Sequence, residues 1–238
     1  MVNPVFTTLT RQSGLQREMQ VLAHNVANLS TAGYRREGVI FTEYVRNLGR
    51  AEEPLSMGSA NGRQTYLTQG TLAQTGGALD LAIEGDGFFV IETPQGERLT
   101  RNGHFIPNAQ GEMVNADGHR LLDAAGAPVF IPADARAITI GRDGTMSSDD
   151  QPLARIGLMR PQDPSMLRRA AGTMLEAQGE LLPADDAILH QGFLEESNVN
   201  PVTEMARMIE IQRAYEMGQK FLEREDERVR AVVQTLGK

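Results

Sequence analysis

Cysteine and tryptophan are both absent from this 238-residue chain. Without thiols there is no disulfide staple, no thiolate metal site and no thiol nucleophile. The aromatic complement is four Tyr and eight Phe, so a core must be built mainly from aliphatic side chains and Met. A run of about 20 apolar residues, the length that spans a bilayer as a helix, occurs nowhere, so no integral membrane segment is expected. The opening Met1-Val2-Asn3-Pro4-Val5-Phe6 has no basic region followed by an apolar run and a cleavage site, so no cleavable signal peptide is expected. A basic stripe is missing too, which argues against nucleic acid as a partner.

The net charge of −8 is unevenly spread. Residues 1–35 carry three basic side chains against one acidic, and residues 196–238 carry seven against eight, which leaves the middle at about −9. Near-neutral arms can pack against similar arms without strong repulsion, whereas the acidic body is suited to exposure.

The arms have helical periodicity. Leu15, Met19, Leu22, Val26 and Leu29 are spaced 4, 3, 4, 3, the seam of a coiled coil, and predict a helix over about 5–29 that stops at Ser30-Thr31-Ala32-Gly33. A second seam runs through Met208, Ile211, Tyr215, Gly218, Leu222, Glu225, Val229, Val232 and Leu236, interrupted at Gly218 and Glu225. Ser197-Asn198-Val199-Asn200-Pro201 carries N-cap chemistry with a proline suited to the first turn, so this helix is placed at about 201–236. Asn25 and Asn28, three residues apart, and Asn198 and Asn200 at the second helix mouth are read either as caps or as amides bonding backbone at a junction of the two helix ends.

Between the arms, residues 36–195 hold 20 of the 24 glycines and 9 of the 11 prolines. Glycines at 96, 103, 111, 118 and 126 recur every seven or eight residues, with short β-prone runs such as Phe88-Phe89-Val90-Ile91 and Arg120-Leu121-Leu122 between them. The fold class expected is α+β: 1–35 an N-terminal helical arm, 36–75 an extended connector, 76–195 an antiparallel β-rich domain, and 196–238 a C-terminal arm pairing with the first as a coiled coil.

Chemical motifs are thin. Gly85-Asp86-Gly87 lacks the third glycine and following helix of a nucleotide-binding loop and reads as a turn, with Gly85 and Gly87 as its structural glycines. The histidines, 24, 104, 119 and 190, include no pair at helical ligand spacing. Asp149-Asp150 and Asp185-Asp186 are adjacent carboxylates, read as solvated loop charges, and the mixed-charge run Glu223 to Arg228 as a solvated helix face. Neither catalysis nor a cofactor or metal is expected.

Four ordered stretches carry a resemblance that covers nearly the whole chain: Ala23-His24-Asn25-Val26-Ala27-Asn28-Leu29-Ser30-Thr31-Ala32-Gly33-Tyr34-Arg35; Leu79-Asp80-Leu81-Ala82-Ile83-Glu84-Gly85-Asp86-Gly87-Phe88-Phe89; Leu99-Thr100-Arg101-Asn102-Gly103-His104-Phe105; and Leu194-Glu195-Glu196-Ser197-Asn198-Val199-Asn200-Pro201-Val202-Thr203-Glu204-Met205. In these it resembles the rod and hook axial proteins of the bacterial flagellum, departing from them at His24, where the family pattern has Asn. The short length and modest β insertion are most similar to proximal-rod members, with distal-rod or hook subunits as alternatives. The resemblance implies paired terminal helices, export through the flagellar type III apparatus, and assembly with other rod subunits and with itself in the periplasmic part of the basal body. The assembly interface so expected comprises Leu15, Met19, Leu22, Asn25, Val26, Asn28 and Leu29 from the first arm. From the second it takes Asn198, Asn200, Met205, Met208, Ile211, Tyr215, Leu222, Val229 and Val232, with Gly33 as a structural turn. Two other classes stay open: a glycan-binding β-domain adhesin with oligomerising arms, which needs exposed aromatics, and a peptidoglycan-cleaving enzyme, which needs a cleft with two differently tuned carboxylates.

Overall fold

The computed structural model describes residues 3–46, 55–149 and 151–236. Helix α1 spans Asn3–Ala27, strands β1 and β2 span Glu37–Arg46 and Leu55–Thr65, and helix α2 spans Pro201–Leu236. The chain divides into two compact units, one gathering α1, the β1–β2 pair and α2, the other holding residues 28–36 and 65–199. The architecture is α+β.

In the first unit, α1 ends two residues earlier than its apolar spacing predicts. The Asn28 carbonyl accepts from the Thr31 amide at 3.2 Å and its side-chain oxygen accepts from the Thr31 hydroxyl at 3.1 Å, so the chain turns there instead of continuing the helix. Helix α2 begins where Pro201 predicts. Asn200 caps it, its side-chain oxygen accepting from the Thr203 amide at 3.1 Å and its carbonyl from the Glu204 amide at 3.1 Å. At 36 residues α2 is about 54 Å long, eleven residues longer than the 25-residue α1.

Residues 36–75 differ from the expected connector, since they contain the β1–β2 pair and the short strand β3, Leu72–Gln74. Glu37-Gly-Val-Ile-Phe-Thr-Glu-Tyr-Val-Arg46 is rich in β-branched and aromatic residues, which suits a strand, while β2 has almost no alternating pattern and pairs through its backbone. The stretch 47–54 of that segment lies outside the described residues.

The second unit is built on antiparallel pairs. Strand β4 (Leu81–Glu84) pairs with Ile188–Gln191, and β3 pairs with Phe193–Glu195. Strand β5 (Phe88–Thr93) lies inside the largest sheet, paired with β6 (Gly96–Thr100) from Phe89 opposite Thr100 to Thr93 opposite Gly96. It is buried on both faces. Phe89 and Ile91 enter a core with Leu81, Ile83, Phe105, Met113, Leu121 and Leu189, where the Phe89 and Phe105 rings meet edge to face at 5.4 Å. Phe88 and Val90 point the other way, into Leu99, Leu122, Leu167 and Leu175. A run of four apolar residues is what a doubly covered strand requires. Gly85, Asp86 and Gly87 form the link between β4 and β5, in keeping with the turn reading.

The glycine rhythm has a finer cause than turn frequency. Asn108-Ala-Gln-Gly111, Asn115-Ala-Asp-Gly118 and Asp123-Ala-Ala-Gly126 repeat the pattern Asx-Ala-x-Gly. In each, the Asx side-chain oxygen accepts from the amides two and four residues on, at 2.8 to 3.0 Å, and the glycine amide donates to the Asx carbonyl. The three glycines share a φ of 82 to 86°, the left-handed region that admits glycine without strain.

A fourth polar junction, at Asp80, ties β4 to its neighbours. Its carboxylate accepts from the Thr75 hydroxyl at 2.6 Å and lies 2.7 Å from His104 Nδ1. Burial pushes this carboxyl upward, but the bonds from Thr75 and His104 outweigh it and hold Asp80 below the usual carboxylate range. A depressed folded-state pKa contributes stability that is present above the unfolded value of about 3.9 and lost as pH falls through the folded one. Urea unfolding of wild type and Asp80→Asn should therefore differ at pH 7 and converge as pH is lowered below about 3.9.

Candidate assembly site

The expected interface residues fall into two groups. Within the first unit, Leu15, Leu22 and Ile211 are buried against one another, flanked by half-buried Met19, Met208, Ala214 and Tyr215. Val26 and Leu222 are half-buried, whereas Met205, Val229 and Val232 are each more than half exposed. The outward side of α2 adds exposed Val202, Ile209, Met217 and Phe221. Asn28, Leu29 and Asn198 belong to the second unit, and Leu29 lies beyond the last residue of α1.

Polar side chains close the two ends of the α1–α2 contact. Asn25 is fully buried; its amide nitrogen donates to the Glu37 carbonyl at 2.8 Å and to Glu204 Oε2 at 2.9 Å, and its oxygen accepts from the Glu37 amide at 3.0 Å. One amide thus satisfies both backbone groups at the start of β1 and a buried carboxylate of α2. Of the two readings of Asn25, cap or junction, the contacts are those of a junction.

Thirteen residues earlier, buried Gln12 donates from Nε2 to the Tyr215 carbonyl at 2.8 Å. It can do so because Gly218 has no side chain: a Cβ there would stand 2.3 Å from Gln12 Nε2. The interruption of the second seam at Gly218 is therefore a notch occupied from within the chain. Between these ends, Arg207 pairs with Glu18 at 2.9 Å.

In the second unit, Glu195 is completely buried between two buried guanidiniums, 2.6 Å from Arg35 and 3.0 Å from Arg101. Its Oε1 also accepts from the Gly70 amide at 2.7 Å. Arg35 bonds the Thr68 carbonyl, and Arg101 bonds the carbonyls of Ile83 and Gly85. Burial lowers the pKa of both arginines, that of Arg101 to about 10, and the attraction of Glu195 opposes the shift without cancelling it. Gly33, at φ +67°, donates to the Glu195 carbonyl at 2.7 Å, and a Cβ on it would lie 2.2 Å from the Asn102 amide nitrogen. Asn198 completes the knot, accepting from the Arg36 amide at 2.6 Å and donating to the carbonyls of Tyr66 and Thr68. Residues 33–36 and 195–198 are thus tied side by side, as the asparagine-bearing ends led one to expect.

Sequence reasoning missed Gln12, Glu195, Arg35 and Arg101 as working residues. Glu195, Arg35 and Arg101 do lie inside the recognised motifs, which was the available signal; Gln12 lies outside them. The remaining chemistry is sparse. Asp185 and Asp186 are exposed and pair with Arg155 and Arg160. Asp143, which lines a cavity of about 260 Å³ with Arg155 and Asp185, is held below the usual carboxylate range by the Thr145 hydroxyl and amide, the opposite of what a general acid needs. Among the described residues no cluster of three His, Asp or Glu side chains could hold a metal, and no helix is long and apolar enough to cross a membrane.

Removing Glu195 leaves two guanidiniums buried without their counter-charge, so Glu195→Ala should cost about 3–5 kcal/mol in denaturant unfolding, with Glu195→Gln costing less. Asn25→Ala removes the amide that bonds the Glu37 backbone and Glu204 together and should cost roughly 2–4 kcal/mol by the same measurement.

Two family models match the chain: the flagellar hook protein FlgE/F/G D1 domain over residues 82–148, and the C-terminal region of the flagellar basal body rod FlgEFG proteins over residues 190–235. The flagellar basal-body rod protein FlgF of Caulobacter vibrioides is 37% identical over 100% of this chain and 99% of its own length. The protein of the same name from Mesorhizobium japonicum is 36% identical over 91% of this chain and 90% of its own. The rod protein FlgG of Bacillus subtilis is 29% identical over 98% of each. With such identity sustained over the full length, and with all four resemblance-bearing stretches in the structural roles just described, the chain belongs to the flagellar basal-body rod protein family.

Proposed function

We propose that this protein is a structural subunit of the proximal rod, the part of the flagellar drive shaft nearest the cell. The terminal arms, 1–35 and 196–238, form the assembling layer, with α1 and α2 wound as a coiled coil, and the β-rich 76–195 forms a separate body. The subunit acts by packing, with no catalytic step. Export through the flagellar type III apparatus and incorporation in the periplasm follow from the same reading, with other rod subunits and copies of itself as partners.

The observation that carries the reading is the state of α2. A 36-residue helix leaves Met205, Ile209, Met217, Phe221, Val229 and Val232 exposed, apolar side-chain surface available to neighbouring subunits along its length. Burial against neighbouring subunits would recover about 25 cal/mol per Å² of that surface. The distal-rod alternative is favoured by FlgG relatives at 28–31% identity, against 34–37% for the FlgF relatives of Caulobacter, Mesorhizobium and Rhizobium.

A photoactivatable side chain at Glu223 or Val229, introduced into cells and irradiated in intact basal bodies, should capture rod proteins. Capture of proximal neighbours supports the proximal position, capture of hook-side neighbours only would move the subunit to the distal rod, and capture of no axial protein would overturn the reading.

A further inference from the structure

We infer that two polar contacts, Gln12 in the notch at Gly218 and Asn25 on Glu204, fix the register in which α1 lies along α2. The inference concerns pairing inside one chain, and its test on purified protein is separate from any test of rod assembly.

The apolar seam does not fix the register by itself. Leu15, Met19 and Leu22 meet Met208, Ile211 and Tyr215. Sliding α1 by seven residues toward the end of α2 would bring it against Tyr215, Gly218 and Leu222 instead, which still offers an apolar or small surface. Space for the slide exists, because α2 is the longer helix by eleven residues. A seven-residue repeat is indifferent to a seven-residue shift.

The polar contacts are not. In the shifted register Gln12 would meet Glu225, whose side chain fills the place that Gly218 leaves open, and Asn25 would meet Ile211, which offers no acceptor. Glu204, 1% exposed, would lose the amide that bonds it. A shift the other way fails as well, since Gln12 would face Ile211 and Asn25 would face Ser197, outside the helix. The spans also match. Gln12 and Asn25 are thirteen residues apart on α1, and Glu204 and Gly218 fourteen apart on α2, so both separations are about 20 Å and the two contacts close together only in one antiparallel alignment. The Glu18–Arg207 pair agrees with that alignment but is half exposed at Arg207 and contributes little. Buried polar groups that select one register among several apolar ones are a well-attested use of such residues in helical pairs.

The chain has no cysteine, so engineered pairs report cleanly. Glu18→Cys with Arg207→Cys marks the observed register, and Glu18→Cys with Ala214→Cys marks the shifted one; both lack the Glu18 carboxylate. With Gln12 and Asn25 intact, mild oxidation of the purified full-length protein should form the first disulfide and not the second. In the Gln12→Leu, Asn25→Leu background the second should rise to a share comparable with the first. Should circular dichroism show that this background loses helicity, Gly218→Ala with Asn25→Ala takes its place, since both changes favour helix while one displaces the Gln12 amide and the other removes the amide on Glu204, and the shifted disulfide must then appear. Retention of the first disulfide alone once the polar contacts are removed would overturn the inference, as would formation of both, or of neither, while they are intact.

Discussion

One buried carboxylate joins three separated segments of the second unit. Glu195 lies with no solvent contact between Arg35 and Arg101, and its oxygens also serve the Gly70 amide. Two cations on one buried anion leave a surplus positive charge in a medium that solvates charge poorly, and exposed Asp86 attracts both guanidiniums from nearby. Such a cluster adds little stability compared with an apolar replacement of the same shape, but it tolerates no partial dismantling. What it supplies is location: residues 35, 101 and 195 come from three separate parts of the chain and can satisfy one another only in one arrangement.

The first unit uses neutral polar groups to the same end. An asparagine amide and a glutamine amide stand at the two ends of a short apolar contact, each bonding groups on another element. Apolar contact supplies attraction that is indifferent to direction, and the amides make that attraction specific. The contact's own ionic pair, Glu18 with Arg207, is balanced.

Much of this was legible in the amino-acid order, and what was not has physical reasons. Helix α2 and its N-cap were readable because Asn200-Pro201 is a local signal followed by a long periodic run. Strand β5 was readable because four consecutive apolar residues between glycines leave few alternatives. Strand β2 was not, since Leu55-Ser-Met-Gly-Ser-Ala-Asn-Gly carries no alternation and its pairing is a backbone matter decided by β1. Gly218 looked like a defect because a missing side chain shows no partner in one dimension; its meaning lies in Gln12, some 200 positions away. Asn25 was readable as a cap or a junction amide, yet only tertiary structure could say which backbone groups it serves. Leu29 shows the opposite failure, a correct spacing continued past the point where a side-chain-closed turn had already ended the helix.

The tie between Arg36 and Asn198 has a mechanical meaning. A pull applied at residue 36 against residue 198 meets the Asn198 bonds and the Glu195 cluster first, a few bonds loaded together near the point of application. The β-sheet residues between them lie on a closed loop that the load bypasses. Strain along the chain ends can therefore be passed on while the sheets remain slack, and the sheet-bearing segment can vary in length without altering what the ends transmit.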